Sequence, residues 1–297
     1  MKRGQEMNRI YSLLKNLPSY IKEEIETQPA SLIIDIEEIR LRCNQKICLL
    51  YSGGEKTLPK VITKEDLINI LNNLIKHSYH AYEEDLAKGF VTIDGGHRVG
   101  ICGKTVYKQG QPVLIKEISS MNIRFAKEIL GCSNSLIPIL IQNQKPVNTL
   151  IVSPPGCGKT TLLRDIARVI SNRNIKVSIC DERSEIAGMY NSTPSFDLGS
   201  RTDILDGCDK NNGITMLIRS MSPEVIITDE IGKIEDINSA EQCMNAGVSL
   251  ITSIHGSSFD DLINSHMSPL IDKKFFKNII YLSKENGPGT IREIQSA

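Results

Sequence analysis

The stretch 147–171, VNTLIVSPPGCGKTTLLRDIARVIS, decides the fold. Val147, Leu150, Ile151 and Val152 form a short apolar run that reads as a buried strand, and Leu162, Leu163, Ile166, Val169 and Ile170 then recur at helical spacing. Between them lies Ser153-Pro154-Pro155-Gly156-Cys157-Gly158-Lys159-Thr160-Thr161, so strand, glycine-bearing loop and helix come in the order a phosphate-binding loop needs. Amide N–H groups of such a loop curl round phosphate oxygens, with the positive end of the following helix behind them. Lys159 offers a point charge to β- and γ-phosphates, and the Thr160 hydroxyl can ligate Mg²⁺, which makes ATP and Mg²⁺ the expected ligands. Ser153 stands where the GxxxxGK[ST] pattern has its first glycine, while Gly-x-Gly-Lys-Thr is intact. Cys157, inside the loop and two residues from Lys159, is expected to be the most reactive of the eight cysteines.

Working outward, the residues after this stretch keep a strand–helix rhythm. Apolar strands are expected at 175–180, 224–229 and 248–253, with helices at about 160–172, 212–221 and 236–246. Such alternation implies right-handed βαβ units and a mostly parallel sheet with its ligands at the carboxyl ends of the strands. Before it, helices near 1–28 and from Thr63, short strands between 33 and 58, a hairpin about Asp94-Gly95-Gly96 and a strand over 112–125 suggest a smaller α+β domain. The expected division is 1–125 for that domain, 126–145 for a linker helix and 146–297 for the phosphate-loop domain. A closing hairpin is expected about Asn286-Gly287-Pro288-Gly289.

Composition narrows the classes. The 297 residues carry 35 Lys+Arg and 35 Asp+Glu, so no global charge argues for nucleic acid or anionic lipid. No apolar stretch reaches the roughly 18–20 residues of a membrane span, and no signal peptide is evident, so a cytoplasmic protein is expected. The cysteines show no CxxC pairs or zinc spacing and read as reduced thiols.

The strand ends carry the polar chemistry. The 224–229 strand runs into Asp229-Glu230, of which Asp229 can hold Mg²⁺ with Thr160 and Glu230 can orient or deprotonate the attacking water. Asp181-Glu182 ends another strand and competes for the water-positioning role. His255 comes after a strand expected between the phosphate-loop strand and the Asp-Glu strand, where its side chain would face the γ-phosphate. A transition-state cation beyond Lys159 is needed, and Arg98, Arg124, Arg183, Arg201 and Arg219 are candidates.

The segments 95–103 (GGHRVGICG), 119–124 (SSMNIR), 153–161, 181–188 (DERSEIAG) and 223–232 (PEVIITDEIG) together resemble the stage III sporulation AA family, which belongs with the ATPases of type II and type IV secretion systems. The resemblance spans nearly the whole chain. It implies a RecA-like ATPase core behind a smaller N-terminal domain, a homo-hexameric ring, and a role in endospore formation. There the ring would power a channel between mother cell and forespore, docked from the mother-cell cytoplasm on membrane-embedded sporulation channel proteins. Carried over residue by residue, Gly156, Gly158, Lys159 and Thr160 match the loop, Asp181-Glu182 the acidic segment, Asp229-Glu230 the second acidic motif and His255 the histidine motif. Ser153 and Cys157 depart from the small or glycine residues usual there. Arg98 and Arg124 look like the arginines that secretion ATPases contribute from the N-terminal side. Two other readings stay open on sequence: a RecA-like ATPase acting on nucleic acid, and a nucleotide-gated scaffold with little turnover. A small-molecule kinase is disfavoured because no acceptor lid is evident.

Overall fold

The computed structural model describes residues 10–296. They divide into two compact units, residues 10–127 with Tyr190–Ser195, and Glu128–Met189 with the residues from Phe196 on.

In the first unit residues 10–14 are helical, the chain breaks at Pro18, and α1 (Ser19–Glu26) comes next. Pro18 is suited to start a helix but not to continue one. The interruption expected near Pro18 within the helical segment 1–28 is thus observed, and the first nine residues lie outside the described residues. After α1 come β1 (Ile36–Arg42), β2 (Lys46–Tyr51), β3 (Gly54–Val61), α2 (Lys64–Leu74), β4 (Phe90–Ile93), β5 (His97–Lys108) and β6 (Gln111–Arg124). Thr63 and Asp66 close a capping box at the start of α2, as their three-residue spacing predicts. The strands form one antiparallel sheet in the order β3-β2-β1-β6-β5-β4. Ile39, Leu41, Leu49 and Ile123 from the sheet and Leu67, Ile70 and Leu71 from α2 share its core.

The second unit contains β7 (Thr149–Ser153), α3 (Lys159–Ser171), β8 (Val177–Asp181), β9 (Thr202–Asp206), α4 (Lys210–Met221), β10 (Val225–Glu230), α5 (Glu235–Ala246), β11 (Ser249–His255), β12 (Asn278–Ser283) and β13 (Thr290–Ser296). Its sheet runs β9-β8-β10-β11-β7-β12-β13, parallel throughout except for β13. Successive strand residues point to opposite faces. Ile151, Ile179, Ile227 and Ile251 therefore meet Leu162, Leu163 and Ile166 of α3 on one side. Leu150, Ile226 and Leu250 meet Leu217 of α4 and Ala240 of α5 on the other. A parallel sheet buried on both faces explains why these strands read as unbroken apolar runs rather than alternating ones.

Two differences from the sequence reading have local causes. The expected linker helix over 126–145 is mostly turns, with a single helical turn at Ile137–Leu140. Gly131 takes φ +82°, and the Asp165 carboxylate accepts from Gly131 N–H, Ser133 N–H and the Ser133 hydroxyl, so polar bonds to α3 replace a helical ladder. Strand β9 is unexpected because its sequence, TDILD, belongs to a half-exposed edge and lacks an apolar run. At the far edge β13 also bears charge, with Arg292 and Glu293 exposed, and the edge strand β3 of the other sheet contains Lys56, Pro59 and Lys60.

Gly213 on α4 packs against β8, and a Cβ there would lie 2.5 Å from Cys180 Sγ and 3.3 Å from Leu205 Cδ2. Gly213→Ala gains about 1 kcal/mol of helix propensity but overpacks by about 1–3 kcal/mol. Net destabilisation is expected in thermal unfolding; a raised midpoint would show that α4 can shift away from β8.

Candidate functional site

Strand β7 ends at Ser153, and α3 begins at Lys159. The reversal between them is made possible by Gly156 at φ +71° and Gly158 at φ +87°, values that a side chain strains. Ser153 needs no glycine: it is the last, fully buried residue of an extended strand, and its hydroxyl donates to Pro154 O at 3.0 Å. Pro154 and Pro155 are exposed and have no N–H, so the amides left to converge on an anion begin at Gly156 and continue through Cys157, Gly158, Lys159, Thr160 and Thr161. Cys157 does not present its thiol outward. Its side chain turns beneath the loop, 2 % exposed, into the core that holds Ile151 and Leu163.

Lys159 Nζ donates to Ser153 O at 3.1 Å and to His255 Nδ1 at 2.8 Å. His255 Nε2 lies 2.7 Å from Glu230 Oε2. Because an ammonium only donates, Nδ1 accepts and Nε2–H donates to the carboxylate, which fixes the tautomer. Burial holds the Lys159 pKa below the ordinary lysine value, and the Glu230 carboxylate works the other way. The chain of contacts is a product of strand order: β10, β11 and β7 are neighbours, so Glu230, His255 and the glycine loop leave the sheet side by side. The expected position of the histidine strand, between the other two, is the observed one. A bulge helps. Ile227 pairs with Ile251 but Glu230 with Ser253, so Thr228 and Asp229 face one residue of β11. This re-aims the strand end, with Glu230 directed to His255 and Asp229 to Lys210.

Sequence reasoning misses Lys210. Its residue is 8 % exposed, and its ammonium lies 3.1 Å from Asp229 Oδ1 and 2.5 Å from Glu182 Oε2. Burial disfavours the Lys210 charge, but Asp229 and Glu182 outweigh it and raise its pKa. Burial likewise pushes the Asp229 carboxyl above the usual range, against the pull of Lys210. Glu182 is held below its ordinary value despite burial by the same ammonium. One signal was legible: Asp209 caps α4, so Lys210 sits in the first turn, where a cation opposes the helix dipole. A lysine there calls for a carboxylate partner.

Asp181 is occupied otherwise. Buried at the end of β8, it accepts from Glu185, Ile186 and Ala187 N–H at 2.8–3.0 Å, which fastens the loop after it. Burial nevertheless raises its pKa to about 7. Arg164 of α3, stacked on Phe196, donates to Ile186 O and Glu185 O and holds the same loop from the other side.

Arg98 and Arg124 belong to the other unit. They are cross-strand partners on β5 and β6, the first stacked on Phe90 at 3.8 Å and the second 3.4 Å from Glu38 Oε1.

Asp229 and Thr160 are hard oxygen donors of the kind Mg²⁺ prefers. Among the described residues no three His, Cys, Asp or Glu side chains gather to hold a metal by themselves. Mg²⁺ bound with a nucleotide takes one or two protein ligands and completes its shell with phosphate and water. Glycine amides, an inward lysine and a buried carboxylate at the ends of β7 and β10, with only β11 between them, fit a magnesium–nucleotide complex.

The sequence pattern of the family described as sporulation stage III, protein AA, matches residues 3–297. The chain belongs to that family. It is 42 % identical to stage III sporulation protein AA of Bacillus subtilis (strain 168) over 294 residues, covering 97 % of this chain and 94 % of the relative. An uncharacterised ycf45 protein of Cyanidium caldarium is 29 % identical over 74 % of this chain and 59 % of its own. Among solved structures, the ATPase DotB of Legionella pneumophila superposes with a TM-score of 0.57 at 16 % identity, covering 89 % of this chain and 76 % of that one. The pilus retraction motor PilT with bound ADP gives 0.57 at 15 %, covering 88 % and 76 %. The chain thus shares the fold of these two structures, the RecA-like fold that the sequence resemblance implied.

Lys210→Met keeps the stem and removes the ammonium. Loss of one partner of a buried pair costs about 3–5 kcal/mol. Burial already raises the Asp229 pKa and loss of the ammonium removes the pull against it, so the penalty is smaller at low pH, where the carboxyl takes up a proton, and grows as pH rises. Denaturant unfolding at about pH 4.5 and about pH 8 should show the larger loss at pH 8; equal losses would mean that Lys210 acts by packing alone.

The buried Cys157 should react with maleimide more slowly than the exposed Cys102, read by mass spectrometry of labelled peptides. Faster labelling of Cys157 would show that the loop opens.

Proposed function

We propose that the chain is a Mg²⁺-dependent ATPase that drives or gates a membrane channel complex during endospore formation. The observation that carries the reading is the contact series from Lys159 through His255 to Glu230 across three adjacent strand ends. In this reading the amides from Gly156 to Thr161 and the Lys159 ammonium hold the β- and γ-phosphates. Thr160 and Asp229 hold Mg²⁺, which supplies charge neutralisation at the phosphoryl oxygens. Glu230 orients and deprotonates the attacking water, aimed by its bond to His255 Nε2–H. Glu182, engaged by Lys210, tunes the charge beside Asp229.

Arg98 and Arg124 are assigned as the remaining transition-state cations. Directly opposed arginines repel each other across a sheet, and Glu38 and Phe90 offset that cost. A pair kept at such a cost suits a task outside its own sheet. Resemblance to secretion ATPases supports a homo-hexameric ring in which an N-terminal domain (1–125) delivers these arginines to a neighbour's ATPase domain (146–297). It also supports docking on membrane-embedded sporulation channel proteins from the mother-cell cytoplasm, with no direct nucleic-acid partner. No helix among the described residues is long and apolar enough to cross a membrane.

Phosphate-release assays test the assignment. Lys159→Ala should abolish tight ATP binding, whereas Glu230→Gln should retain bound ATP and lose turnover by about 100-fold or more. Normal hydrolysis by Glu230→Gln would pass the water-positioning role to Glu182. Mixing Lys159→Ala with Arg98→Ala or Arg124→Ala chains should restore part of the activity if the arginine acts across subunits.

A further inference from the structure

Strand β12 lies parallel beside β7, with Tyr281 level with Val152, so the turn from Lys284 to Gly289 that leads out of β12 emerges next to the glycine loop. This turn connects β12 to β13. Gly289 N–H donates to Cys157 O at 2.8 Å, a main-chain bond from the turn into the centre of the loop. A Cβ on Gly158 would stand 3.2 Å from Gly289 N, and one on Gly156 would stand 3.0 Å from Lys284 Nζ. Gly287 and Gly289, at φ +96° and +88°, let the turn fold down this closely. Farther along, Arg292 donates to Ser257 O at 2.6 Å, two residues past His255. The C-terminal hairpin is thereby tied to both the glycine loop and the segment after the histidine strand.

Lys284 is exposed, and among the described residues no carboxylate pairs with it. An unpaired ammonium against a loop of converging amides adds to the field of Lys159 and the helix end rather than opposing it. We propose that the Lys284–Gly289 turn is part of the nucleotide site and that Lys284 supplies it with a second phosphate-binding cation; this rests on the nucleotide reading above. The ligand class is a nucleoside polyphosphate, and the contribution grows with the number of phosphates because the contact is a charge. Lys159 approaches from the first turn of α3 and Lys284 from the β12–β13 hairpin, so the polyphosphate is gripped by two elements far apart in sequence.

Fluorescent mant-ATP, mant-ADP and mant-AMP titrated into the full-length chain test the proposal, with Lys284→Met, Lys284→Arg and Lys284→Glu as variants. Lys284→Met should weaken mant-ATP binding about tenfold and mant-AMP less, Lys284→Glu should weaken it further, and Lys284→Arg should restore most of it. All three should keep the wild-type thermal midpoint, since the side chain is exposed. Tight binding by the wild type with an unchanged Lys284→Met affinity overturns the role of Lys284 alone. Failure of the wild type to bind any of the three overturns the nucleotide reading, and this inference with it. An equal loss for all three nucleotides would mean that Lys284 touches the nucleoside, which also overturns it.

Discussion

A parallel strand covered on both faces has no place for charge along its length, so its polar residues are confined to its ends. That constraint organises the larger unit. Strands β7, β8, β10 and β11 are buried almost throughout, and their carboxyl ends carry Ser153, Asp181, Asp229-Glu230 and His255. Sheet order then decides which end meets which. Because β11 runs between β7 and β10, a histidine at its tip spans from Lys159 to Glu230 without any loop having to reach across.

Crowding acids at one edge creates a charge problem, and two lysines answer it differently. Lys210 is buried and pairs with both Asp229 and Glu182. Lys159 is satisfied by neutral acceptors, a carbonyl and an imidazole. An ammonium held only by neutral groups keeps its charge for an incoming anion, whereas one between two carboxylates has little left to give. In the proposed reading the two cations divide into one that receives ligand and one that keeps the carboxylates beside it in place.

Much of this was legible in the sequence because it depends on local pattern. The strand–loop–helix of 147–171, the apolar run into Asp229-Glu230 and the place of His255 can be read from periodicity and spacing. What escaped depends on partners distant in the chain. Lys210 acquires its meaning only when β8 and β10 align Glu182 and Asp229 beside α4. A cysteine within a glycine loop reads as outward, yet the reversal between two left-handed glycines turns Cys157 into the core. The helical pattern around 126–145 loses to Asp165, which captures Gly131 and Ser133. Strand β9 has too few apolar residues to announce itself and is recruited by its register with β8. Residues Tyr190–Ser195, midway through the second unit's sequence, cluster with the first unit, which no composition shift indicates.

The edges of the sheets carry one more consequence. An open edge offers unpaired N–H and C=O groups to any other strand, and charge or proline along it deters that pairing. Here β9 ends in Asp206 and carries Asp203, β13 shows Arg292 and Glu293, and β3 has Pro59 between lysine-bearing positions. Copies of this chain are therefore discouraged from zipping backbone to backbone into a continuous sheet. In the proposed ring, assembly would then rely on side chains meeting side chains, contacts that can slide, loosen and re-form while each protomer's hydrogen-bonded framework stays whole.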